Sequence, residues 1–415
     1  AYSGNPRIAK HAPWEGGWVF VKDEQGNPWI TVAQEGDGTS LWLPSKDIWN
    51  DEPDNGVEMK IITSKDLTGV GNGKLISKTT ENGKNIFVWE VKNPINLYSL
   101  APVIGKFAHF SEIYDGEKGK LNCDYYVLDY NLEKAKVQFQ QAKSMLKSFE
   151  YWFGPYPFYE DGYKLVETPH LGMEHQSNVA YGNHYLNGYL GRDLSGTGIG
   201  LEWDFIIIHE SGHEWFANNI TAKDQADMWI HESFTNYSET LYTESLLGKE
   251  KAQKYVIGTR RGIKNDIPII GKYGVRNEGS GDMYPKGGNM IHTIRTVINN
   301  DEKFRQILRG LNKDFYHQTV TTKQIEDYIS SKSGINFSKI FDQYLRTTQI
   351  PTLEYSQDGN TFKYRWTNTV DGFDLPIRIN GTETISPSKE WKTITLKDSS
   401  EVKFDENYYV KYQKM

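Results

Sequence analysis

The hydrophobic pattern of the chain changes period twice, and this restricts the fold more than any other property of the sequence. Up to about residue 112 apolar residues alternate in short runs. Trp18 to Lys22 and Trp29 to Gln34 flank the turn-forming Asp23-Glu24-Gln25-Gly26-Asn27, and Leu75 to Thr79 and Asn85 to Val91 flank Glu81-Asn82-Gly83. That is the pattern of β-hairpins. From Asn131 the period becomes 3.6, with Leu132, Ala135, Phe139, Ala142, Met145, Leu146, Phe149 and Trp152 on one stripe, which predicts one long amphipathic helix ending near Gly154-Pro155. Further helices are expected over about 202 to 219, 227 to 247 with a stop at Gly248, 285 to 299, 301 to 312, 322 to 332 and 337 to 346. After Pro351 short alternating segments return, at Thr361 to Trp366, Leu375 to Ile379, Lys392 to Leu396 and Tyr408 to Tyr412. The expected fold class is multidomain α+β: an N-terminal β domain over 1–112, a mainly helical domain over 113–350 and a small β-sandwich-like domain over 351–415.

Composition narrows the function classes. The 415 residues carry a net charge of −7 without a basic stripe, which argues against nucleic acid as a partner. Cys123 is the single cysteine, so an intrachain disulfide and a cysteine-based zinc knuckle are both excluded. No run of 18 apolar residues occurs, so no transmembrane segment is expected. The polar start at Ala1 fits a signal segment that was removed or never present, which leaves a secreted or periplasmic place and a cytoplasmic one both open. Oligomeric state has no sequence signature here.

The chemistry concentrates at His209-Glu210-Ser211-Gly212-His213, directly after the apolar Phe205 to Ile208. On a helix, positions i and i+4 stack on one face, so His209 and His213 can offer two imidazole nitrogens to one metal ion. Glu210 then projects about 100° away and can serve a water as general base instead of binding the metal. A catalytic zinc takes three protein ligands and keeps one position open. Glu232, separated from His213 by eighteen residues within Trp229-Ile230-His231-Glu232-Ser233-Phe234, supplies the third. Taken singly, the two histidines read equally as core or surface imidazoles and Glu232 as an exposed helix carboxylate; taken together, they read as a site for one Zn2+. The same donors would accept cobalt or manganese in vitro.

These residues resemble the zinc aminopeptidases of the aminopeptidase N type, which carry HExxH, eighteen residues and Glu. Trp215-Phe216-Ala217-Asn218 is similar to the family's WFGN, and Trp229 to Phe234 to its WLNEGF. Tyr284-Pro285-Lys286-Gly287-Gly288 resembles its YxKG. The resemblance implies that Tyr284 stabilises the tetrahedral intermediate, a role that suits a phenol donor aimed at a developing oxyanion. Upstream, Leu171-Gly172-Met173-Glu174-His175 resembles the exopeptidase signature GxMEN, with Leu171 and His175 as departures. It implies that Gly172, Met173 and Glu174 bind substrate, Glu174 accepting the α-ammonium. Glu35 is the expected second acceptor, placed by counting back from Leu43-Pro44-Ser45-Lys46-Asp47. His175 is expected to make a different hydrogen bond or to take a charge near pH 6 to 7. His231 is expected in packing or at the surface, and Asn236 and Glu239 are candidates to accept the second N–H of metal-bound imidazoles.

The resemblance covers roughly residues 30 to 350 and implies a thermolysin-like catalytic domain. The β region before it is shorter than the family's complete N-terminal domain, so the chain is expected to begin inside that domain. Only about 65 β-like residues follow Pro351 in place of a large helical domain, and a more open cleft is expected from that. The implied activity is release of the N-terminal residue from peptides with a free N-terminus. The alternatives are a thermolysin-type zinc endopeptidase and a zinc-bearing peptide-binding scaffold without activity.

Overall fold

A computed structural model describes residues 2–35, 39–46, 48 and 50–415. The chain folds into two compact units: Ala1–Leu194, Gly198–Asp224 and Asn312–Thr319 form the first, and Ser195–Thr197, Gln225–Leu311 and Val320–Met415 the second. Among the described residues no helix is long and apolar enough to cross a membrane.

The first unit begins with the expected hairpins. Gly17–Lys22 pairs antiparallel with Pro28–Ala33, Trp18 opposite Val32. Lys74–Glu81 pairs with Lys84–Val91 around Asn82-Gly83, with a register shift between Leu75 and Ser77. Both turn residues have positive φ, 49° at Asn82 and 76° at Gly83, as a two-residue turn matched to strand twist requires. Behind them lies a five-stranded mixed sheet. Its order runs from Gly172–Met173 through Val179–Tyr181, Tyr163–Glu167 and Gly119–Leu128 to Phe107–Gly116. Leu165, Val166, Val179 and Ala180 are fully buried in it. The short Gly172–Met173 strand forms one edge, the position in a sheet that can accept a further extended chain.

The helix expected from Asn131 to Gly154 is two helices, Leu132–Gln138 and Gln141–Phe153. The break lies at Phe139-Gln140, and long-range contacts outweigh the unbroken period. Phe139 packs its ring 5.4 Å from Tyr125 and 4.9 Å from Tyr181. Gln138 donates to Asp204 at 2.8 Å, and Gln141 accepts from the Asp204 backbone N–H at 2.8 Å. Asn131 makes no cap; its amide donates to Glu167 at 2.8 Å.

In the second unit Trp229–Leu247, Pro285–Ile298, Thr322–Ser333 and Ser338–Arg346 follow the sequence expectations within a few residues, as does Asp301–Asp314, whose last residues belong to the first unit. A further helix, Lys249–Thr259, starts directly after Gly248. Gly248, at φ 88°, turns the chain and does not end the helical region. The close packing of Pro285–Ile298 on Trp229–Leu247 has a local cause: a Cβ at Gly287 would overlap Ser233 Oγ, and one at Gly288 would overlap Asn236 Oδ1. The C-terminal strands form a four-stranded sheet, ordered Lys392–Thr395, Thr361–Thr367, Thr352–Asp358 and Lys411–Lys414, beside the pair Ile377–Ile379 and Glu383–Ile385. Thr352–Asp358 and Glu383–Ile385 go beyond the four segments read from the sequence, and the last strand begins three residues later than expected.

Candidate active site

His209 sits on the helix Phe205–Gly212, eight residues in place of the eighteen expected, and His213 caps its C-terminal end with the backbone still near helical. Asp204 sets its start, accepting from the N–H groups of Ile206 at 3.0 Å and Ile207 at 3.4 Å. This satisfies two of the donors that a helix start leaves open. Tyr181 Oη and Asn183 Nδ2 also donate to Asp204, at 2.7 and 2.8 Å, and burial pushes its carboxyl up to about 6. Past Gly212 tighter turns replace the helix, the Glu214 N–H reaching the Ser211 carbonyl at 3.2 Å and the Trp215 N–H the Gly212 carbonyl at 3.1 Å, before the chain passes Ala217 at φ 145°.

His209 and His213 are buried, their ring centroids 5.0 Å apart and nearly perpendicular at 81°. Phe205 stacks on His209 at 5.0 Å. His213 Nδ1 lies 3.0 Å from the Phe216 carbonyl. A carbonyl only accepts, so Nδ1 carries the proton and Nε2 the lone pair, the tautomer that ligation through Nε2 needs. Two imidazoles on successive turns, one with its tautomer fixed, fit the donor chemistry of zinc.

Gly172 explains itself sterically. A Cβ there would stand 2.7 Å from Glu210 Oε1 and 2.9 Å from Ile206 Cγ2, so only the missing side chain lets the edge strand run against the Glu210 carboxylate. Met173 is buried beside Tyr98 and Ala180. Glu174 is 4% exposed; Tyr98 Oη donates to its Oε1 at 3.1 Å, and Asn218 Nδ2 donates to its backbone carbonyl at 2.8 Å. Carboxylate oxygens of Glu174 and Glu210 and a ring nitrogen of His213 all lie within 4.8 Å of one another. Asn218 also donates to Glu214 at 3.4 Å, and burial raises that carboxyl to about 8.

One upstream expectation changes. His175 does not titrate near neutrality: it is fully buried and desolvation pushes its imidazole down to about 3, with His170 nearby held at about 4 by the same cause. Its ring makes no hydrogen bond among the described residues. Glu35 lies half-buried just past the strand Pro28–Ala33, and residues 36–38 lie outside the described residues. Its neighbour Gln34 donates to the Leu100 carbonyl at 2.6 Å and accepts from Trp42 Nε1 at 2.7 Å. Of the Leu43 to Asp47 anchor used to place Glu35, Asp47 also lies outside the described residues.

Glu232 belongs to the second unit, in the first turn of Trp229–Leu247, 2% exposed. The same helix buries His231, as expected. Asn236 Nδ2 donates to Glu239 at 3.1 Å, and Tyr255 Oη donates to the other Glu239 oxygen at 2.6 Å. Tyr284 is half-buried at the start of Pro285–Ile298, where its carbonyl accepts from the Gly288 N–H at 2.9 Å. Ser233, next to Glu232, donates to the carbonyl of Met283, next to Tyr284, at 2.7 Å. The stems of these two side chains are therefore joined by one hydrogen bond. Tyr98 as a positioning group had no local signal, since its partner is distant in sequence; Asn218 and Ser233 fell inside motifs without their distant partners being legible, and Asp204 carried the local signal of an acidic cap just before an apolar helical run.

The Peptidase family M1 domain matches residues 137–344, half of the chain, and the chain belongs to this family. Leucyl aminopeptidase of Saccharolobus solfataricus is 22% identical over 73% of this chain and 39% of its own length. Leukotriene A-4 hydrolase of Xenopus laevis is 22% identical over 70% of this chain and 48% of its own. The chain thus spans less than half the length of these curated relatives. Among solved structures, a mutant M1 zinc metallopeptidase from Deinococcus radiodurans bound to a Tyr-Ser-Ala substrate superposes with a TM-score of 0.69 at 20% identity, covering 84% of this chain and 75% of that one.

Proposed function

We propose that the chain is a zinc aminopeptidase that binds one zinc ion through His209, His213 and Glu232 and hydrolyses the first peptide bond of peptides with a free N-terminus. The observation that carries the reading is the buried Glu174 beside Glu210 and His213. An anionic acceptor next to the base favours a substrate whose ammonium ends there, and leaves a blocked terminus facing an unsatisfied carboxylate. Membership of peptidase family M1 and the aminopeptidase among the relatives support the same reading.

A bound zinc ion would polarise the scissile carbonyl and acidify a water molecule. Glu210 would take the proton from the attacking water and return it to the leaving amine. The Tyr284 phenol donates a hydrogen bond to the carbonyl oxygen as it gains charge. Glu174, with Glu35 as second acceptor, fixes the α-ammonium, and the Gly172–Met173 edge aligns the substrate backbone, so that the first bond alone meets the base.

The test is a panel of free and N-acetylated peptides assayed before chelation, after it and after zinc restoration. Zinc-dependent release of the first residue from free peptides, with acetylated ones intact, is expected. Internal cleavage of acetylated peptides would establish the endopeptidase alternative instead.

A further inference from the structure

The second unit also holds a polar cavity that this chemistry does not use. Its volume is about 110 Å3, and its lining includes Lys249, His292, Arg295, Asp301, Arg378 and Asn407. That exceeds the space of one water, about 30 Å3, and falls below the roughly 300 Å3 of pockets for drug-sized ligands. A small ion matches the size.

The wall is preorganised by a closed set of hydrogen bonds. Arg295 holds Glu244 with two N–H groups, at 2.7 and 3.0 Å, and Asp301 with Nε at 2.9 Å. Lys249 Nζ lies 2.6 Å from the other Asp301 oxygen. Arg378 donates to Asp405 at 3.1 Å and to the Thr296 carbonyl at 3.4 Å. Asn407 Nδ2 donates to Asp405 at 2.7 Å. His292 Nε2 meets Asn407 Oδ1 at 2.9 Å, and its Nδ1 meets Tyr237 Oη at 2.9 Å. The amide oxygen only accepts, so Nε2 carries the proton. Burial holds His292 down at about 4, and it stays neutral at physiological pH.

The unused donors select the ligand. Glu244 and Asp405 stand outside the lining, behind Arg295 and Arg378, whereas Asp301 faces the cavity between two cations. With those two counted, three carboxylates balance the three cations, and what the cavity still offers is N–H donors rather than net charge. The bonds named above use one of the three N–H groups of Lys249 and two of the five of Arg378. Such donors suit an acceptor with oxygens on several sides.

We propose that this cavity binds a small tetrahedral oxyanion, phosphate or sulfate, between Lys249 and Arg378. The test titrates inorganic phosphate and sulfate against chloride at matched ionic strength, read by calorimetry and by thermal unfolding of the full chain. Saturable binding is expected, weakened about tenfold by Lys249→Met and by Arg378→Gln and unchanged by Lys397→Met at an exposed strand end. Lys249 is half-exposed, so its replacement spares the fold and decides the matter. No saturable binding up to tens of millimolar, or binding that Lys249→Met leaves unchanged, overturns the proposal.

Discussion

Replacing Gly172 by alanine probes how closely the edge strand and the base are fitted. Gly172 does not have a positive φ, so the backbone accepts alanine and the effect is purely steric. The new methyl would stand 2.7 Å from Glu210 Oε1, 3.0 Å from Glu210 Cγ and 2.9 Å from Ile206 Cγ2. Favourable contact between carbon atoms begins at about 3.5 Å, so Glu210 must retreat by roughly half an ångström or more. Overpacking of this kind costs about 1–3 kcal/mol of stability. Misplacement of a reacting group by about 1 Å costs up to about a hundredfold in rate, and half that displacement corresponds to about tenfold. The assay is kcat/KM on a free dipeptide, with zinc content and melting temperature measured on the same preparation. Adding Glu210→Asp shortens the acid, and is expected to restore melting temperature without restoring turnover. A folded, zinc-replete Gly172→Ala protein with turnover within twofold of the parent would refute the reasoning.

Glu210→Gln should retain zinc while activity falls by about 10² to 10⁴, checked by metal analysis beside steady-state rates. Tyr98→Phe removes one hydrogen bond to the Glu174 carboxylate, worth about 1.5–3 kcal/mol; KM for free peptides should rise with kcat little changed, and an equal fall in kcat alone would contradict the ammonium-binding role. Because His170 and His175 are held at about 4 and about 3 in the folded state against about 6.5 when unfolded, the unfolded chain binds more protons as pH falls. Stability should therefore be full above pH 6.5 and decline towards pH 4, by about 1.4 kcal/mol per pH unit for each imidazole. His175→Asn should make urea midpoints less steep with pH over that interval, and an unchanged slope would show that His175 is not the neutral buried group described.

The parts of the site that periodicity revealed are those whose partners lie within one or two helical turns. His209 and His213 share a helix face, and the tautomer of His213 is fixed three residues on, by Phe216. The break at Phe139-Gln140 was hidden because Asp204 and Tyr181, which hold the flanking groups, lie more than forty residues away. Tyr98 reaches Glu174 across 76 residues, and no periodicity records that. Lys249–Thr259 was missed although Ala252, Tyr255, Val256 and Thr259 form a buried stripe, because Gly248 was read as a terminator. The reading of His175 failed for another reason: residue type suggests titration, whereas complete burial removes it.

The glycine seam at Gly287-Gly288, pressed against Ser233 and Asn236 and tied by the Ser233 bond to Met283, makes the roots of Glu232 and Tyr284 two prongs of one fork. Neither prong can be retuned alone. A design that lengthens the reach of the phenol, or shifts the carboxylate for a larger ion, has to move both helices together, and bulk added along the seam would pry open the pair before it altered either tip.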